Sequence, residues 1–357
     1  MHFLKHVVTF KIDFLHKGAS WSFCEKQTMT DESKDVRIGI IGAGHLGRYH
    51  IECIQRIDGF TLAGFADSDP ERVQQISAKY NIIAFPDTDS LLQSVDAVCI
   101  VTPTSTHFEI GMKAIAAGKH IFIEKPLTDE PGTSNELAKK LSGSQLIGRV
   151  GHVERYNPAF IAANRFGIHK PVFIEAHRLA PFNPRGLDVP VVLDLMIHDI
   201  DIVLSVIESE VEHIEANGVG VAGKSADICN ARITFKNKAV ANLTASRISL
   251  KQMRKLRLFQ RDQYMAIDFL NQEVQVVKLL HEEPADLISM KMDLPDGTRW
   301  IAADSPMIEK HNAIELELRE FLDAIRNSSQ NGVSFKEGAH AVEVAHKIME
   351  QITNYEV

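Results

Sequence analysis

The amino-acid sequence predicts an α/β fold, in which a doubly wound parallel sheet is followed by an α+β region with a large, mostly antiparallel open sheet. Three observations lead to this prediction. The apolar run at residues 36–41 breaks into a Gly-x-Gly-x-x-Gly motif, apolar runs then alternate with helical segments up to residue 157, and longer strand-like runs with few helices follow. A chain of 357 residues is also long enough to hold two hydrophobic cores.

The glycine motif marks the end of the first strand and the start of the first helix. Gly42 permits a tight turn, Gly44 lets a pyrophosphate approach the backbone, and Gly47 lets helix and strand pack closely. The free N–H groups at the helix N-terminus then bind the phosphates. We therefore predict a dinucleotide-binding (Rossmann) half-domain, with His45 and Leu46 of the motif beside the cofactor.

The second strand supports the same prediction and indicates which cofactor is bound. Residues 61–66 form an apolar run that leads into Asp67, about twenty residues after the last glycine, where a carboxylate meets the adenosine ribose hydroxyls. Such a carboxylate repels a 2′-phosphate, so we expect NAD as the cofactor, with NADP less favoured. Arg72, a little over one helical turn further on, works against this preference.

Helices and strands continue to alternate through the first half of the chain. We predict helices at 70–80, 89–93 and 108–117, and strands at 82–85, 97–101, 120–123 and 146–153. Asp69 and Pro70 are typical of a helix start, because aspartate accepts hydrogen bonds from free N–H groups and proline suits the first turn.

Two turns at the carboxyl edge of this sheet carry candidate functional groups. The first turn contains Thr102, Pro103 and Thr104, with His107 three residues further on, and the second is the sequence Glu-Lys-Pro at residues 124–126. Open α/β sheets bind ligands at this edge. A lysine beside the cleft, between an apolar strand and a rigid proline, is well placed for proton exchange with an alcohol. A surface lysine that ends a strand is the alternative.

The glycine motif, the Thr102-Pro103 turn with its downstream His107 and, above all, the Glu-Lys-Pro sequence closely resemble the Gfo/Idh/MocA family of sugar and polyol oxidoreductases. The resemblance extends from about residue 36 to the C-terminus. It implies that Lys125 faces both substrate and nicotinamide, that Glu124 lies at the cofactor, and that the proline turn packs near the nicotinamide.

A second group of candidate residues lies on the predicted helix at 191–203, which is apolar except for Asp194, His198, Asp199 and Asp201. At about 100° per residue, positions 194, 198 and 201 share one narrow stripe. An apolar helix does not bury such a stripe without partners or purpose. A core histidine satisfied by hydrogen bonds and a metal site that recruits another histidine are the alternatives.

The family resemblance gives this helix the Asp-x-x-x-His pair that completes the active site. Asp194 and His198 match the pair, so His198 would exchange a proton with the substrate hydroxyl and Asp194 would orient substrate or imidazole. Asp201 matches a common family aspartate, to which we assign a structural role. The predicted catalytic residues are thus Lys125, Asp194 and His198, without a metal.

Predicted substrate contacts follow the first sheet and continue into the second half of the chain. They are His152, Arg155, Tyr156, Asn157, Arg178 and Arg185. Their segments resemble the nucleotide-sugar branch of the family, which predicts a UDP-N-acetylhexosamine 3-dehydrogenase. The arginines suit a diphosphate, although surface ion pairing is the alternative. A free-sugar or inositol dehydrogenase is the second hypothesis. A non-catalytic dinucleotide sensor is the third, which the acid/base residues disfavour.

The second half of the chain is predicted to bind substrate and to form oligomers. Strand-like runs lie at 171–178, 227–235, 239–248 and 273–279, residues 281–303 are expected to be irregular, and helices follow at 312–327 and 337–354. A broad open sheet is a plausible subunit interface, so we expect a homodimer or homotetramer. The predicted division is an extension at 1–34, a dinucleotide-binding domain at 35–157 and a substrate-binding domain at 158–357.

Composition limits which binding partners and which cellular compartment we expect for the protein. The formal net charge of -8 argues against nucleic acid as a partner. Residues 1–34 mix apolar and charged side chains, so they lack the continuous apolar run of a signal peptide or membrane span, and we assign them no function. The four cysteines show no C-x-x-C pairing, which favours a reducing, cytoplasmic compartment and argues against a structural zinc site. The expected partner is a small-molecule substrate.

Overall fold

The computed structural model describes residues 35–182, 189–221 and 225–352. These residues form a five-stranded parallel sheet and a nine-stranded, mostly antiparallel sheet, so the predicted fold class is confirmed. The predicted extension at 1–34 and the predicted substrate contact Arg185 lie outside the described residues.

The parallel sheet has the strand order β2-β1-β3-β4-β5. Its strands are β1 (Val36–Ile41), β2 (Phe60–Ala66), β3 (Ala97–Ile100), β4 (His120–Glu124) and β5 (Gly148–Gly151). The helices in this half are α1 (His45–Ile54), α2 (Pro70–Tyr80), α3 (Thr88–Gln93), α4 (His107–Ala116) and α5 (Pro131–Ser142). Because all five strands run in the same direction, the turns after β1, β2, β3 and β4 meet at one edge.

Local sequence signals explain where the helices begin. Asp69 precedes α2, and its carboxylate accepts hydrogen bonds from the backbone N–H groups of Glu71 and Arg72. Asn157 caps α6 (Pro158–Gly167) in the same way. In both helices proline occupies the first turn, where no N–H partner is lost.

The antiparallel sheet has the order β13-β14-β12-β11-β10-β6-β9-β8-β7, in which only the β6–β9 pair is parallel. Its strands are β6 (Phe173–Leu179), β7 (Val211–Val219), β8 (Ile228–Phe235), β9 (Val240–Ser246), β10 (Met253–Phe259), β11 (Gln263–Asp268), β12 (Glu273–Leu280), β13 (Ser289–Leu294) and β14 (Gly297–Asp304). Buried and exposed residues alternate along β8, because one face of the sheet covers the core and the other is solvated.

The expectation that residues 281–303 are irregular is wrong, because this segment forms the β13–β14 hairpin. Met290 and Met292 alternate with polar residues, and Gly297 has a φ of 125°, which the tight turn requires. The hairpin lies at an edge of the sheet and is largely exposed, so its strands carry more polar residues than a buried strand.

The predicted helix at 191–203 is not one regular α-helix. Its first part, Val192–Met196, is a π-helix in which the N–H of Ile197 donates to the carbonyl of Val192, five residues earlier. The α-helix α7 (Ile197–Val206) follows directly. The angular spacing of 100° per residue therefore does not apply between Asp194 and the residues after it, although Asp194 and His198 both lie near Lys125.

The C-terminal helices α8 (Ala313–Asn327) and α9 (Phe335–Ile352) return to the N-terminal half of the chain. Leu318 and Phe321 of α8 share a hydrophobic core with Ile38 of β1 and Phe122 of β4. Cys53, Cys99 and Cys229 are buried free thiols. Across the described residues, no helix combines the length and apolar character needed to cross a bilayer.

Candidate active site

The glycine motif after β1 has the backbone geometry that a dinucleotide site needs. Gly42 has a φ of +91°, which side chains rarely tolerate. A Cβ atom on Gly47 would lie 2.1 Å from the carbonyl oxygen of Gly42, whereas a Cβ on Gly44 would meet no atom within 4 Å. Gly42 and Gly47 are therefore required by the fold, whereas Gly44 leaves open space beside the turn.

That space lies in front of the N-terminus of α1. No side chain caps this helix at Gly44, and its first turn has no acidic residue, so the N–H groups are available to an anion. The cleft has a volume of about 700 Å³. It is lined by residues that include Gly42, Gly44, Asp67, Arg72, Thr102, Pro103 and Thr106. This arrangement fits the pyrophosphate of a dinucleotide.

Asp67 at the end of β2 is almost completely buried, and its carboxylate is extensively hydrogen-bonded. It accepts hydrogen bonds from the backbone N–H groups of Ala43 and Asp69, at 2.8 and 2.9 Å, and from Arg72 Nη1 at 3.0 Å. The Arg72 side chain is 41% exposed and lines the cleft. A carboxylate and a guanidinium therefore share this end of the cleft.

The turn after β3 is joined to the turn after β4 by His107. This histidine is buried, and its Nε2 and Nδ1 atoms each lie 3.0 Å from a carbonyl oxygen, of Thr102 and of Pro126 respectively. Thr102 and Pro103 line the cleft, and Thr104 begins a short 3₁₀ turn. The structure thus gives the His107 side chain a positioning role between the two turns.

Lys125, Asp194 and His198 come together although they lie on distant segments. Lys125 Nζ donates a 2.7 Å hydrogen bond to the carbonyl oxygen of Asp194 and lies 3.5 Å from its Oδ1 atom. Lys125 and His198 both line a cavity of about 250 Å³, to which Leu46 of the glycine motif also contributes. The π-helix places the Asp194 carbonyl against the lysine, so the cation has a fixed position.

His198 is held in its neutral form. Its Nδ1 atom is buried and has no hydrogen-bond partner among the described residues. Burial lowers the pKa of His198 well below its usual value of 6.5, and the nearby Lys125 cation lowers it further. A neutral imidazole beside a lysine cation can accept a proton from a hydroxyl group.

Glu124 supports the turn that carries Lys125. Its Oε1 atom lies 2.8 Å from His50 Nε2, and its Oε2 atom accepts a 3.2 Å hydrogen bond from the backbone N–H of Lys125. Below it, Glu317 of α8 is buried, and burial together with Glu124 raises its pKa well above the usual value. Burial thus favours the protonated, neutral form of Glu317.

Potential metal ligands come close together in the described residues at His50, Glu124 and Glu317. Neither Asp194 nor His198 belongs to this group, so the structure gives no support to the alternative of a metal site on the helix.

Arg155 and Arg178 are held by buried carboxylates. Arg155 Nε and Nη2 donate to Asp201 at 2.8 and 2.7 Å. Arg178 Nε and Nη2 donate to Asp199 at 3.0 and 2.8 Å, while its Nη1 donates to Glu154 at 2.7 Å. Because buried charges require such partners, these ion pairs account for the positions of the two arginines without a diphosphate, and the predicted clamp stays a prediction. The Arg155 pair is consistent with a structural role for Asp201.

Two of the other predicted substrate contacts, Tyr156 and Asn157, have hydrogen-bond partners within the protein, whereas neither ring nitrogen of His152 has one among the described residues. The Tyr156 hydroxyl donates to Glu320 at 2.9 Å, and Asn157 caps α6. His152 is 1% exposed, and its Nδ1 atom lies 3.8 Å from Asp201. The first two side chains therefore stabilise the fold rather than face the cavity.

Sequence analysis missed several cavity residues, among them Gln252, directly before β10, and Arg254, near the start of that strand. Several basic residues follow one another in this segment, so the sequence gives no signal that distinguishes the one facing the cavity. The register of β10 against β6 supplies that information, because Arg254 lies directly opposite Arg178.

Comparisons with known proteins agree with this geometry. Residues 36–152 match the family model described as an oxidoreductase family with an NAD-binding Rossmann fold, and residues 137–261 match the GFO/IDH/MocA C-terminal domain. The UDP-N-acetylglucosamine 3-dehydrogenase of Acidithiobacillus ferrooxidans is 39% identical over 290 residues, which cover 81% of this chain and 88% of that protein. The chain belongs to the Gfo/Idh/MocA oxidoreductase family.

Solved structures of Gfo/Idh/MocA-type enzymes share the fold. That of the Acidithiobacillus enzyme has a TM-score of 0.80 and 34% identity, over 90% of this chain and 98% of that one. A scyllo-inositol dehydrogenase from Lactobacillus casei with bound NAD(H) has a TM-score of 0.71 at 20% identity, over 90% and 98% of the two chains. The protein is therefore a dehydrogenase that acts on CH–OH groups with a nicotinamide dinucleotide cofactor.

Proposed function

We propose that the protein transfers hydride between carbon 3 of a UDP-N-acetylhexosamine and NAD. The catalytic part of the proposal rests on one observation, the convergence of Lys125 and His198 in a single cavity beside the dinucleotide cleft. The substrate is supported by the 39% identity to a UDP-N-acetylglucosamine 3-dehydrogenase along 88% of that enzyme.

In the proposed reaction the substrate loses a hydride from carbon to the cofactor and a proton from its hydroxyl group to the protein. A dinucleotide held by Gly42, Gly44 and Asp67 would supply the acceptor for the hydride that leaves the carbon with its electron pair. Neutral His198 accepts the hydroxyl proton as general base, and Lys125, held by Asp194, stabilises the negative charge that develops on the oxygen. In the reductive direction the protonated His198 returns the proton.

We further propose a preference for NAD over NADP. Asp67 lies in the cleft with an anionic carboxylate, which repels a 2′-phosphate, but Arg72 offsets part of this charge. Titration of the protein with NADH and NADPH tests the proposal. Tighter binding of NADPH would contradict it and would identify Arg72 as the residue that selects the cofactor.

A substrate panel tests the proposed function against its main alternative. The scyllo-inositol 2-dehydrogenase (NAD(+)) of Bacillus subtilis is 31% identical over 195 residues, which cover 51% of this chain and 57% of that one. We expect NAD-dependent turnover of UDP-N-acetylglucosamine and none of inositols or free hexoses. Turnover of an inositol without turnover of any UDP-sugar would favour the alternative.

The remaining parts of the proposal concern the whole protein. The solvated face of the antiparallel sheet, with Glu175, Glu215 and Arg232 around a shallow depression, supports a homodimer or homotetramer. The buried free thiols support a cytoplasmic location. The two sheets support the predicted division into a dinucleotide-binding and a substrate-binding domain.

A further inference from the structure

The cationic side chains that line the catalytic cavity differ in how well they are paired. They are Lys125, Arg178 and Arg254. Lys125 is held by Asp194, and all three bonding nitrogens of Arg178 are held by carboxylates. Arg254 is the poorly paired member of this group.

Arg254 has spare hydrogen-bonding capacity. Its side chain is 41% exposed, and its contact with Glu154 Oε1 is 3.4 Å long. Arg178 Nη1 lies only 2.7 Å from the same oxygen, so the carboxylate is already committed to the other guanidinium. A guanidinium has five N–H donors, and most of those on Arg254 are therefore available to a ligand.

The position of Arg254 is unfavourable for the fold alone. It lies directly opposite Arg178 in the β10–β6 register, and like charges placed directly opposite each other destabilise a sheet. Arg178 makes the short ion pairs to the buried Asp199 and Glu154, and Arg254 meets Glu154 only at 3.4 Å. The Glu154 carboxylate therefore holds Arg254 loosely, and its exposed guanidinium can also contact a ligand.

We infer that Arg254 binds the diphosphate of a nucleotide-sugar substrate at the mouth of the cavity that holds Lys125 and His198. This inference rests on the proposed function. An exposed guanidinium with free parallel N–H groups matches phosphate oxygens, whereas a free polyol offers it no charge. The same cation also contributes to lowering the pKa of His198, in keeping with a positive potential in the cavity.

Binding measurements with Arg254→Gln test the inference, with UDP and UDP-N-acetylglucosamine as probes. Removal of the charge-assisted bonds should weaken both ligands by about ten- to a hundredfold. Arg257→Gln is the matched control. Arg257 lies on the same strand with 47% exposure, but it pairs with Glu175 and does not line the cavity. The control should bind both probes like the wild type, and NAD affinity should not change in either variant.

Two further measurements test whether Arg254 acts through its charge and through its planar geometry. Added salt should weaken UDP binding more in the wild type than in Arg254→Gln. Arg254→Lys keeps the charge without the planar fork, so its affinity should fall between the two. Wild-type affinity for UDP in both Arg254 variants would overturn the inference while leaving the proposed function intact. If the wild-type protein turns over an inositol and binds neither probe, the proposed function fails, and the inference fails with it.

Discussion

Charge and burial determine the chemistry of the site at the scale of single residues. Lys125 reaches the carbonyl of Asp194, 69 residues further along the chain, and the same cation lowers the pKa of the buried His198. A lowered histidine pKa means that the imidazole stays neutral at a lower pH than a free histidine does. The proposed base His198 should therefore remain available to accept a proton below pH 6.5, the usual histidine value.

The Lys125→Met variant tests this electrostatic coupling. Loss of the cation should decrease kcat by about 10²- to 10⁴-fold and raise the pKa of His198, so the acid limb of kcat/KM should move to higher pH. The measurement is a pH–rate profile of both proteins, with NADH affinity as the control that should stay constant. An unchanged acid limb would show that Lys125 does not set the ionisation of His198.

The buried ion pairs of Arg178 lead to a prediction about stability. Arg178→Gln leaves Asp199 and Glu154 buried without their partner, which should reduce the free energy of unfolding by about 3–5 kcal/mol. Replacement of the exposed Arg257 by Gln should cost about 0–1 kcal/mol. Urea denaturation measures both changes. If Arg178→Gln unfolds like the wild type but loses UDP-sugar affinity, Arg178 is a substrate residue after all.

Sequence analysis predicted some residues of the site much better than others. The glycines and Lys125 stand in short motifs whose physical roles depend on neighbours in the chain. The partners of Arg178 lie 21 and 24 residues away, so its pairing depends on tertiary structure. The same limit applies to Arg254, because only the strand register shows which residue it faces.

At the scale of elements, the turns and helix ends around the two sheets build the site. The β1–α1 turn leaves space for an anion, and the π-helix at Val192–Met196 aims a carbonyl at Lys125. Hydrophobic periodicity predicted most strands and helices to within a few residues. It could not predict the π-helix, because most residues around Val192–Met196 are apolar and a wider turn hardly changes their pattern. The β13–β14 hairpin was missed because its exposed edge strands contain many polar residues, which obscure the alternation typical of a strand.

Two substitutions in the glycine motif separate fold from function. Gly47→Ala places a methyl group against the Gly42 carbonyl and should cost roughly 1–3 kcal/mol of stability. Gly44→Ser meets open space and retains a good N-cap residue, so stability should hold while NADH affinity falls. Thermal unfolding and NADH titration measure the two effects. Unchanged NADH affinity in Gly44→Ser would mean that no phosphate lies at this turn.

Helix α8 carries a group whose ionisation should make stability pH-dependent. Burial raises the pKa of Glu317 above its usual value of 4.5, so the folded state holds this proton more tightly than the unfolded state. The stabilisation is complete below pH 4.5 and decreases as the pH rises towards the folded-state pKa. Glu317→Gln does not titrate, so its Tm advantage over the wild type should increase as the pH rises above 4.5, the usual value of the carboxyl. A Tm difference between Glu317→Gln and the wild type that stays constant with pH would show that Glu317 is ionised in the folded protein.

At the scale of the whole molecule, the chain crosses twice between its two sheets. After the antiparallel sheet is complete, α8 returns and shares a core with β1 and β4, which brings Glu317 beneath the turn that carries Lys125. The catalytic cavity draws on both sheets, with Lys125 at the end of β4 and Arg254 on β10. The sequence predicted the two sheets but not this return, because long-range packing of a helix leaves no local pattern.

The solvated face of the antiparallel sheet should be covered by a second copy of the chain. We expect light scattering to give twice or four times the monomer mass. Arg232→Glu changes a charge on this face, where Arg232 contacts Asn242, and should lower the oligomer mass without loss of secondary structure. A wild-type protein that is monomeric at all concentrations would contradict the proposed interface.

Transfer of an isotopic label tests the central claim most directly. UDP-N-acetylglucosamine with deuterium on carbon 3 is incubated with NAD and the wild-type protein, and His198→Ala serves as the variant that lacks the proposed base. The account predicts that wild-type protein moves the deuterium to the nicotinamide ring, and that His198→Ala does so about 10²- to 10⁴-fold more slowly. Reduced cofactor without deuterium, or equal rates in the two proteins, would contradict it.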